Sequence, residues 1–354
     1  MRADLGLLFF SPKSILQMVK KIPIDQFLLL RKVVPIIDVR SQGEYLEGHI
    51  TGALNIPILD NDARKIVGTV YKQHGRQTAV LKGLELTGPH MNTLLRKGIK
   101  ASPDGRALVH CWRGGMRSEF FSFLLHYYGY EAIVLEGGYK AYRGAVHQSF
   151  QENYPIKLLS GKTGSGKTEI LAALHHVGAQ IIDLEGLAQH RGSSFGAIGM
   201  GQQPTQEAFE NSLFEALTTM DRTRTIWIED ESRVIGDKVI PEGLWNQMKQ
   251  APVVEVQRTD AERLNQILHD YGHFPVTDLR TAMERIGKRL GPQHVKQALI
   301  HLDNHEIHAA FEIALGYYDR AYAYLLSKRN HEQIQSIDCS AIDYSSIAMK
   351  LKEM

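Results

Sequence analysis

The chain is poor in cysteine, with only two such residues among its 354. Cys111 and Cys339 are too few for a disulfide framework or a four-cysteine zinc site. No apolar run reaches the roughly 18 residues that a membrane-spanning helix needs, and low-complexity tracts are absent as well. We therefore expect a globular protein of about two domains, without a membrane partner, in a reducing compartment such as the cytoplasm.

The chain also has no large excess of positive or negative residues, because its formal net charge is only +2. Basic residues exceed acidic ones before residue 155, and the reverse holds after it. A mildly basic front half is compatible with phosphate or RNA ligands, but on charge alone a solvated surface is the better explanation.

The front half alternates short β-branched runs with helical segments, which is typical of a parallel α/β sheet. The predicted strands are residues 35–40, 52–57, 107–112 and 132–138. An apolar helix closed by Gly129 lies between the last two. We interpret residues 21–150 as one α/β domain and residues 1–20 as an N-terminal extension.

A second α/β pattern begins at residue 156. Predicted strands at residues 157–161, 179–186 and 225–232 form its core, residues 156–258. From residue 259 onward the apolar spacing becomes helical, so residues 259–354 are predicted to be the helical C-terminal part of the same domain. The fold class is therefore α/β in both halves.

A phosphate-binding loop follows the first strand of the second domain. Its glycines let consecutive backbone N–H groups face an anion, and the next helix adds its positive N-terminus. A lysine then reaches the outer phosphate, and a threonine hydroxyl holds Mg²⁺. The predicted binding residues are Gly161, Lys162, Thr163, Gly164, Ser165, Gly166, Lys167 and Thr168.

The carboxylate partner of such a loop ends a neighbouring apolar strand. Asp230 is the best candidate for a second Mg²⁺ ligand beside Thr168, and Glu229 and Glu231 are next. The motif indicates a polyphosphate and Mg²⁺ but not its hydrolysis. No residue pattern here indicates base recognition or an attacking water.

A cysteine loop lies between a strand and a helix of the first domain. Cys111 is followed by two glycines and by Arg113 and Arg117. Loop N–H groups, a helix N-terminus and arginines favour the thiolate, which is the nucleophilic form. We therefore predict Cys111, Arg113 and Arg117 as the catalytic residues. Cys339 has no such surroundings and is interpreted as structural.

The first domain resembles a rhodanese domain in residues 37–57, in the cysteine loop and in the stretch LEGGYKAYR. The resemblance implies that Asp38 and Arg40 are structural and that Cys111 carries a persulfide or its selenium analogue. Arg117 stands six residues after Cys111, one more than in simple rhodaneses. This C-x₅-R spacing is that of related dual-specificity phosphatases and leaves room for a bulkier oxyanion.

The two domains in this order resemble the tRNA 2-selenouridine synthase family. The shared stretches include CWRGGMRS, GKTGSGKT, DLEGLAQHRGSSFG and WIEDESRVIG, and the resemblance covers about residues 22–330. It implies a tRNA substrate with 2-thiouridine at the wobble position. The sulfur is geranylated with geranyl diphosphate, and selenium from selenophosphate then replaces the S-geranyl group through a Cys111 selanylsulfide.

Within that resemblance, Arg113 and Arg117 would hold the phosphate oxygens of selenophosphate. Lys167 and Mg²⁺ would stabilise the departing diphosphate, and Arg191 would bind phosphate or RNA. The sequence leaves open whether the phosphate-binding loop takes geranyl diphosphate or a nucleotide. Two other functions remain: a generic rhodanese sulfurtransferase, and a C-x₅-R phosphatase with a regulatory phosphate-loop domain.

Overall fold

A computed structural model describes residues 19–329 and 331–354 of the chain. The predicted extension, residues 1–20, thus lies almost entirely outside the described residues. The chain divides into two units, Met1–Gln148 and Ser149–Met354. Each unit contains its own five-stranded parallel sheet, which confirms the predicted α/β class. Among the described helices, none has the length and apolarity to cross a membrane.

The N-terminal sheet has the strand order β1-β5-β4-β2-β3, and every pairing is parallel. The four predicted strands are confirmed, while β1 was missed because its two lysines hide any apolar pattern. The strands are β1 (Lys20–Ile22), β2 (Ile36–Asp38), β3 (Leu54–Asn55), β4 (Arg106–His110) and β5 (Glu131–Leu135).

Two helices of the N-terminal unit begin at a side-chain cap. Ser41 and Glu44 form a capping box at α2, and the Asp60 side chain accepts from the Ala63 N–H at the start of α3. Gly75, with a φ of 78°, interrupts α3. The helices are α1 (Ile24–Leu30), α2 (Gln42–Glu47), α3 (Asn61–Thr87), α4 (Met91–Ala101), α5 (Met116–Tyr127) and α6 (Gly138–Ser149).

The C-terminal sheet has the order β12-β11-β6-β8-β7, again with parallel pairing throughout. A short antiparallel pair, β9 (Val234–Ile235) and β10 (Lys238–Val239), stands apart from it. The sheet strands are β6 (Ile156–Ser160), β7 (Gln180–Ile182), β8 (Ile226–Glu229), β11 (Val253–Gln257) and β12 (Ile334–Asp338).

Ten α-helices are described in this unit, within residues 149–329 and 331–354. They are α7 (Lys167–His176), α8 (Leu184–Ala188), α9 (Gln206–Thr218), α10 (Glu242–Gln250), α11 (Asp260–Tyr271), α12 (Val276–Arg285), α13 (Gly287–Leu290), α14 (Pro292–Asp303), α15 (Ile307–Leu326) and α16 (Tyr344–Lys352).

The predicted helical part, residues 259–354, contains one exception. Residues Ile334–Asp338 form the edge strand β12, which pairs with β11 over five residues. Only Ile337 of this strand is buried, as suits a strand at the edge of a sheet. Cys339 follows directly, fully buried among apolar residues, and burial raises the pKa of its thiol.

A fully buried ion pair lies at the carboxyl end of β2. The Arg40 guanidinium donates to both carboxylate oxygens of Asp38, with a shortest N–O distance of 2.6 Å, and to the Gly48 carbonyl at 2.7 Å. Its other face lies 3.8 Å from the Tyr139 ring centroid. Burial acts to raise the pKa of Asp38, but His110 and Arg40 outweigh it and lower the pKa.

Replacing Arg40 with Ala should therefore lower the free energy of unfolding of the N-terminal unit by about 3–5 kcal/mol, because Asp38 would be left buried without its partner. Urea denaturation measures the change. The exposed Arg106, 3.1 Å from Glu131, is the control, and Arg106→Ala should cost no more than about 1 kcal/mol. Equal losses in the two variants would contradict this interpretation.

Candidate functional site

Cys111 lies immediately after β4, the central strand of the N-terminal sheet, and before α5. Its side chain is buried, 4% exposed, and it is a free cysteine. The Sγ atom is 3.3 Å from Ser118 Oγ and 3.9 Å from the Gly115 carbonyl oxygen. The predicted nucleophile is therefore a thiol at the base of a loop that leads into a helix N-terminus.

The N-terminus of α6 holds the cysteine loop in place. The backbone N–H groups of Tyr139 and Lys140 donate to the carbonyls of Cys111 (2.8 Å) and Trp112 (3.0 Å). Gly138 has a φ of 60°, and a Cβ there would lie 2.3 Å from both the Cys111 oxygen and the Gly114 nitrogen. The stretch LEGGYKAYR thus supports the loop through its backbone.

Several loop amides remain available for an anion. Among the described residues, the N–H groups of Trp112, Arg113, Gly114 and Gly115 have no hydrogen-bond acceptor. They adjoin the N-terminus of α5, a helix of 12 residues. Unpaired amides beside a helix N-terminus favour an oxyanion.

The two predicted arginines occupy different environments. Arg117 makes a bidentate pair with Glu44, at 2.6 and 3.1 Å, whereas Arg113 is exposed and has no ion-pair partner in the described part of the chain. Burial acts to lower the pKa of Arg117, but Glu44 outweighs it and raises the pKa. Sequence reasoning missed Glu44, although its capping-box position was readable from S-x-x-E.

His110 belongs to the core and not to the loop. It is fully buried, with Nε2 3.7 Å from Asp38 Oδ2 and its ring beside that of Tyr139. Burial, partly offset by Asp38, lowers the pKa of His110 to about 4. The imidazole is therefore neutral at physiological pH, and it faces the Asp38 pair and not the cysteine loop.

In the C-terminal unit the phosphate-binding loop joins β6 to α7. Gly164 and Gly166 have positive φ values of 82° and 76°. A Cβ on Gly164 would lie 2.4 Å from the Arg263 oxygen, and one on Gly166 would lie 2.6 Å from the Tyr344 ring. Lys167 Nζ donates to the Gly161 carbonyl at 3.1 Å. Both the conformation and the space at these positions require glycine.

Parallel pairing of β6 with β8 places their carboxyl ends side by side. Ser160 Oγ consequently donates to Asp230 Oδ2 at 2.8 Å, and Arg329 also pairs with Asp230. Ser160 and Glu255 both contact the hydroxyl of Tyr322, at 3.1 and 3.0 Å. The predicted Mg²⁺ carboxylate is thus oriented by groups that the sequence did not reveal.

A cavity of about 260 Å³ gathers most of the predicted residues of this unit. They are Gly161, Thr163, Gly164, Gly166, Lys167, Thr168, Arg191 and Asp230. Lys162 instead lies 3.6 Å from Asp319, and Ser165 is buried. Arg191 lies over the Tyr271 ring at 5.3 Å, and its buried Nη1 has no acceptor among the described residues. The cavity therefore contains cations suited to an anionic ligand.

The carboxyl groups of Glu185 and Glu231 border the same cavity, and Glu229 lies behind them, where its Oε2 accepts from the Glu185 N–H at 3.3 Å. Glu229 is fully buried, and burial followed by Glu185 raises its pKa well above the ordinary value. Burial and the charge of Glu231 raise the pKa of Glu185 to about 8, so this carboxyl cluster favours retaining a proton. Gly192 leaves room for this cluster, because a Cβ there would lie 2.5 Å from Glu231 Oε2.

The donors fit Mg²⁺ only together with a bound phosphate. Thr168 and Asp230 supply a hydroxyl and a carboxylate, which Mg²⁺ accepts beside substrate phosphates and waters. In the described ranges, no set of three or more His, Cys, Asp or Glu side chains is arranged to hold a metal ion. Any Mg²⁺ here would depend on the phosphate ligand.

Comparison with known proteins assigns a family to each unit. Residues 24–145 match a rhodanese-like domain, and residues 154–348 match the tRNA 2-selenouridine synthase AAA domain. Proteins named tRNA 2-selenouridine synthase are similar over most of this chain. The one from Proteus mirabilis is 35% identical (86% of this chain, 92% of the relative), and the one from Alcanivorax borkumensis is 33% identical (86% and 93%). That from Shewanella denitrificans is 31% identical (87% and 93%).

Replacing Gly138 with Ala should displace the cysteine loop. The added Cβ would meet two backbone atoms at 2.3 Å, so we expect a loss of about 2 kcal/mol or more in unfolding free energy and a changed alkylation rate of Cys111. Gly144, also in α6, has no atom within 4 Å of such a Cβ. Gly144→Ala should therefore leave the alkylation rate of Cys111 unchanged. It should change the free energy of unfolding by no more than about 1 kcal/mol. Similar behaviour of the two variants would contradict the proposed support by α6.

The neutral, buried His110 predicts a pH-dependent stability. Between pH 6.5 and about 4 the unfolded chain binds a proton that the folded chain excludes, so stability should fall as the pH falls. The slope from one such group is at most about 1.4 kcal/mol per pH unit. Urea titrations at several pH values should show a smaller slope for His110→Asn, with the exposed His90→Asn as control. An unchanged slope would show that another group is responsible.

Proposed function

The chain belongs to the tRNA 2-selenouridine synthase family of tRNA-modifying enzymes, and from that premise we propose a two-step reaction divided between its units. In the first step, geranyl diphosphate would geranylate the sulfur of 2-thiouridine at the wobble position of a tRNA. In the second step, selenium from selenophosphate would replace the S-geranyl group and give 2-selenouridine. The proposed location is the cytoplasm.

The first step is assigned to the C-terminal unit. One observation carries this assignment: Lys167 and the unpaired Nη1 of Arg191 border the same cavity as the phosphate-binding loop. Both cations would stabilise the diphosphate as its bond to the geranyl carbon breaks and the tRNA sulfur bonds to that carbon. Thr168 and Asp230 would hold Mg²⁺, which would neutralise further charge on the leaving diphosphate.

The second step is assigned to the cysteine loop. The amides from Trp112 to Gly115 and the exposed Arg113 would bind the phosphate oxygens of selenophosphate, while Arg117 is already neutralised by Glu44. Geranyl thiolate is a far better leaving group than a bare thiocarbonyl sulfur. Geranylation would therefore prepare C2 of the base for substitution.

One form of this step conserves all oxidation states. The Cys111 thiolate attacks C2, the C2–S bond breaks, and geranyl thiolate leaves and takes up a proton. Selenium of selenophosphate then attacks C2 and releases Cys111, and water cleaves the P–Se bond to give phosphate. A Cys111 selanylsulfide, which the family resemblance implies, requires the electron pair of the P–Se bond to leave with phosphorus, so the product would be phosphite. Phosphorus NMR of the product distinguishes the two routes.

Two substitutions should separate the steps. Lys167→Ala should slow geranylation by about 100-fold or more, since it removes a preorganised charge at the leaving group. Cys111→Ala should keep geranylation and abolish 2-selenouridine. Nucleoside mass spectrometry of 2-thiouridine tRNA, incubated with Mg²⁺ and geranyl diphosphate, with and without selenophosphate, measures both products.

Matched controls are the exposed Lys249→Ala and the buried Cys339→Ala, both of which should behave as the unmodified protein does. Intact geranylation by Lys167→Ala together with its loss in Cys111→Ala would reverse the assignment of the steps. Unchanged tRNA in every reaction of a folded protein would favour the sulfurtransferase or phosphatase function.

A further inference from the structure

The N-terminal unit contains a cavity of about 690 Å³ that neither proposed step has used. This volume lies within the 300–1,000 Å³ range of small-molecule sites. Its wall is mainly aliphatic and aromatic, with contributions from β1, α3 and α5. The apolar side chains include Val67, Tyr71, Val80, Leu84, Phe120 and Phe123.

The interruption of α3 at Gly75 shapes this cavity. Val67 and Tyr71 precede the break, Val80 and Leu84 follow it, and all four line the same space. Tyr71 and Leu84 remain about half exposed, at 54% and 48%. Large apolar side chains that share an open concave surface indicate an apolar ligand.

The cavity adjoins the cysteine loop. Met116 and Arg117, the first two residues of α5, line it, and the next residue, Ser118, places Oγ 3.3 Å from Cys111 Sγ. The cavity therefore borders the same helix N-terminus that lies beside the thiol. The C-terminal cavity is smaller, about 260 Å³, and is bordered by the phosphate-binding loop and carboxyl groups.

Charges at this cavity are already balanced. Lys21 pairs with Glu119 at 2.6 Å, and Arg117 pairs with Glu44. No cation lining it is left unpaired among the described residues, so it offers little attraction for a diphosphate. Its chemistry suits a hydrocarbon chain and not an anion.

We propose that this cavity binds the geranyl chain of the S-geranyl tRNA intermediate, and that it thereby positions C2 of the modified base beside Cys111. The inference rests on the proposed two-step function and adds a place for the hydrocarbon in the second step. Each methylene that leaves water for the cavity favours binding. The geranyl group then serves as an anchor as well as part of the leaving group.

The test uses the full chain and tRNA that already carries S-geranyl-2-thiouridine, so that the phosphate-binding loop is not needed. Leu84→Asp places a charge in the cavity wall. Leu81→Asp, on the same helix but 69% exposed and outside the cavity lining, is the matched control. A second substrate carries an S-methyl group in place of S-geranyl and so lacks the hydrocarbon chain that the cavity is proposed to bind.

Leu84→Asp should lower kcat/KM for the S-geranyl substrate about tenfold or more, mainly through KM, and should leave the S-methyl substrate unaffected. Leu81→Asp should leave kcat/KM unchanged for both substrates. Leu84→Met, which keeps an apolar side chain in the wall, should retain the higher kcat/KM for the S-geranyl substrate. Thermal unfolding by circular dichroism checks that each variant folds. Equal kcat/KM ratios in Leu84→Asp and Leu81→Asp would overturn the cavity proposal alone.

A photoreactive geranyl thioether gives a readout that does not depend on turnover. Labelling should fall on peptides from α3 and α5 and should decrease in Leu84→Asp. If the unmodified protein converts no S-geranyl tRNA, the proposed function fails, and the labelling still decides the cavity. Labelling of other peptides would overturn the inference. Absence of labelling because the cavity is taken by residues 1–18 of the same chain would overturn it as well.

Discussion

Two backbone segments of the N-terminal unit meet with no side chain between them, and the geometry around Cys111 depends on this contact. Gly138 and Gly114 have positive φ, and a Cβ on either would collide with the backbone of the other segment. The approach lets the first amides of α6 bind the carbonyls of Cys111 and Trp112. Amides from Trp112 to Gly115 then stay free for a ligand. The loop is therefore preorganised by the backbone and needs few side chains.

The same solution recurs in the C-terminal unit. Gly164 approaches the Arg263 carbonyl closely, and the Arg263 side chain, nearly fully buried, donates to the Thr163 carbonyl at 3.0 Å. Asp260 and Asp319 balance the charge of that guanidinium. A helix about a hundred residues further along the chain thus fixes the conformation of the phosphate-binding loop. In each unit, a segment distant in the chain fixes the backbone conformation of an anion-binding loop.

Ion pairing decides which charges each site can offer. Glu44 neutralises Arg117. Arg113 and the loop amides are therefore the groups left to bind an anion. Beside Lys167, burial and Glu231 raise the pKa of Glu185, which favours its uncharged form and reduces repulsion of a diphosphate. The apolar cavity bordered by Met116 and Arg117 has its charges paired as well. Anionic and hydrocarbon parts of the proposed substrates are thereby matched to different surfaces.

The α/β class, the phosphate-binding loop and the cysteine loop are readable from the amino-acid sequence, because glycine spacing and strand patterns are local signals. It also identified the family, through stretches such as DLEGLAQHRGSSFG. It missed β1 and β12, whose short, partly polar strands are specified by the neighbours with which they pair. Tertiary structure alone decided that Glu44 binds Arg117, that Arg329 and Ser160 orient Asp230, and that α3 and α5 enclose an apolar cavity. Those contacts join residues far apart in the chain, and no local pattern encodes which distant side chains will meet.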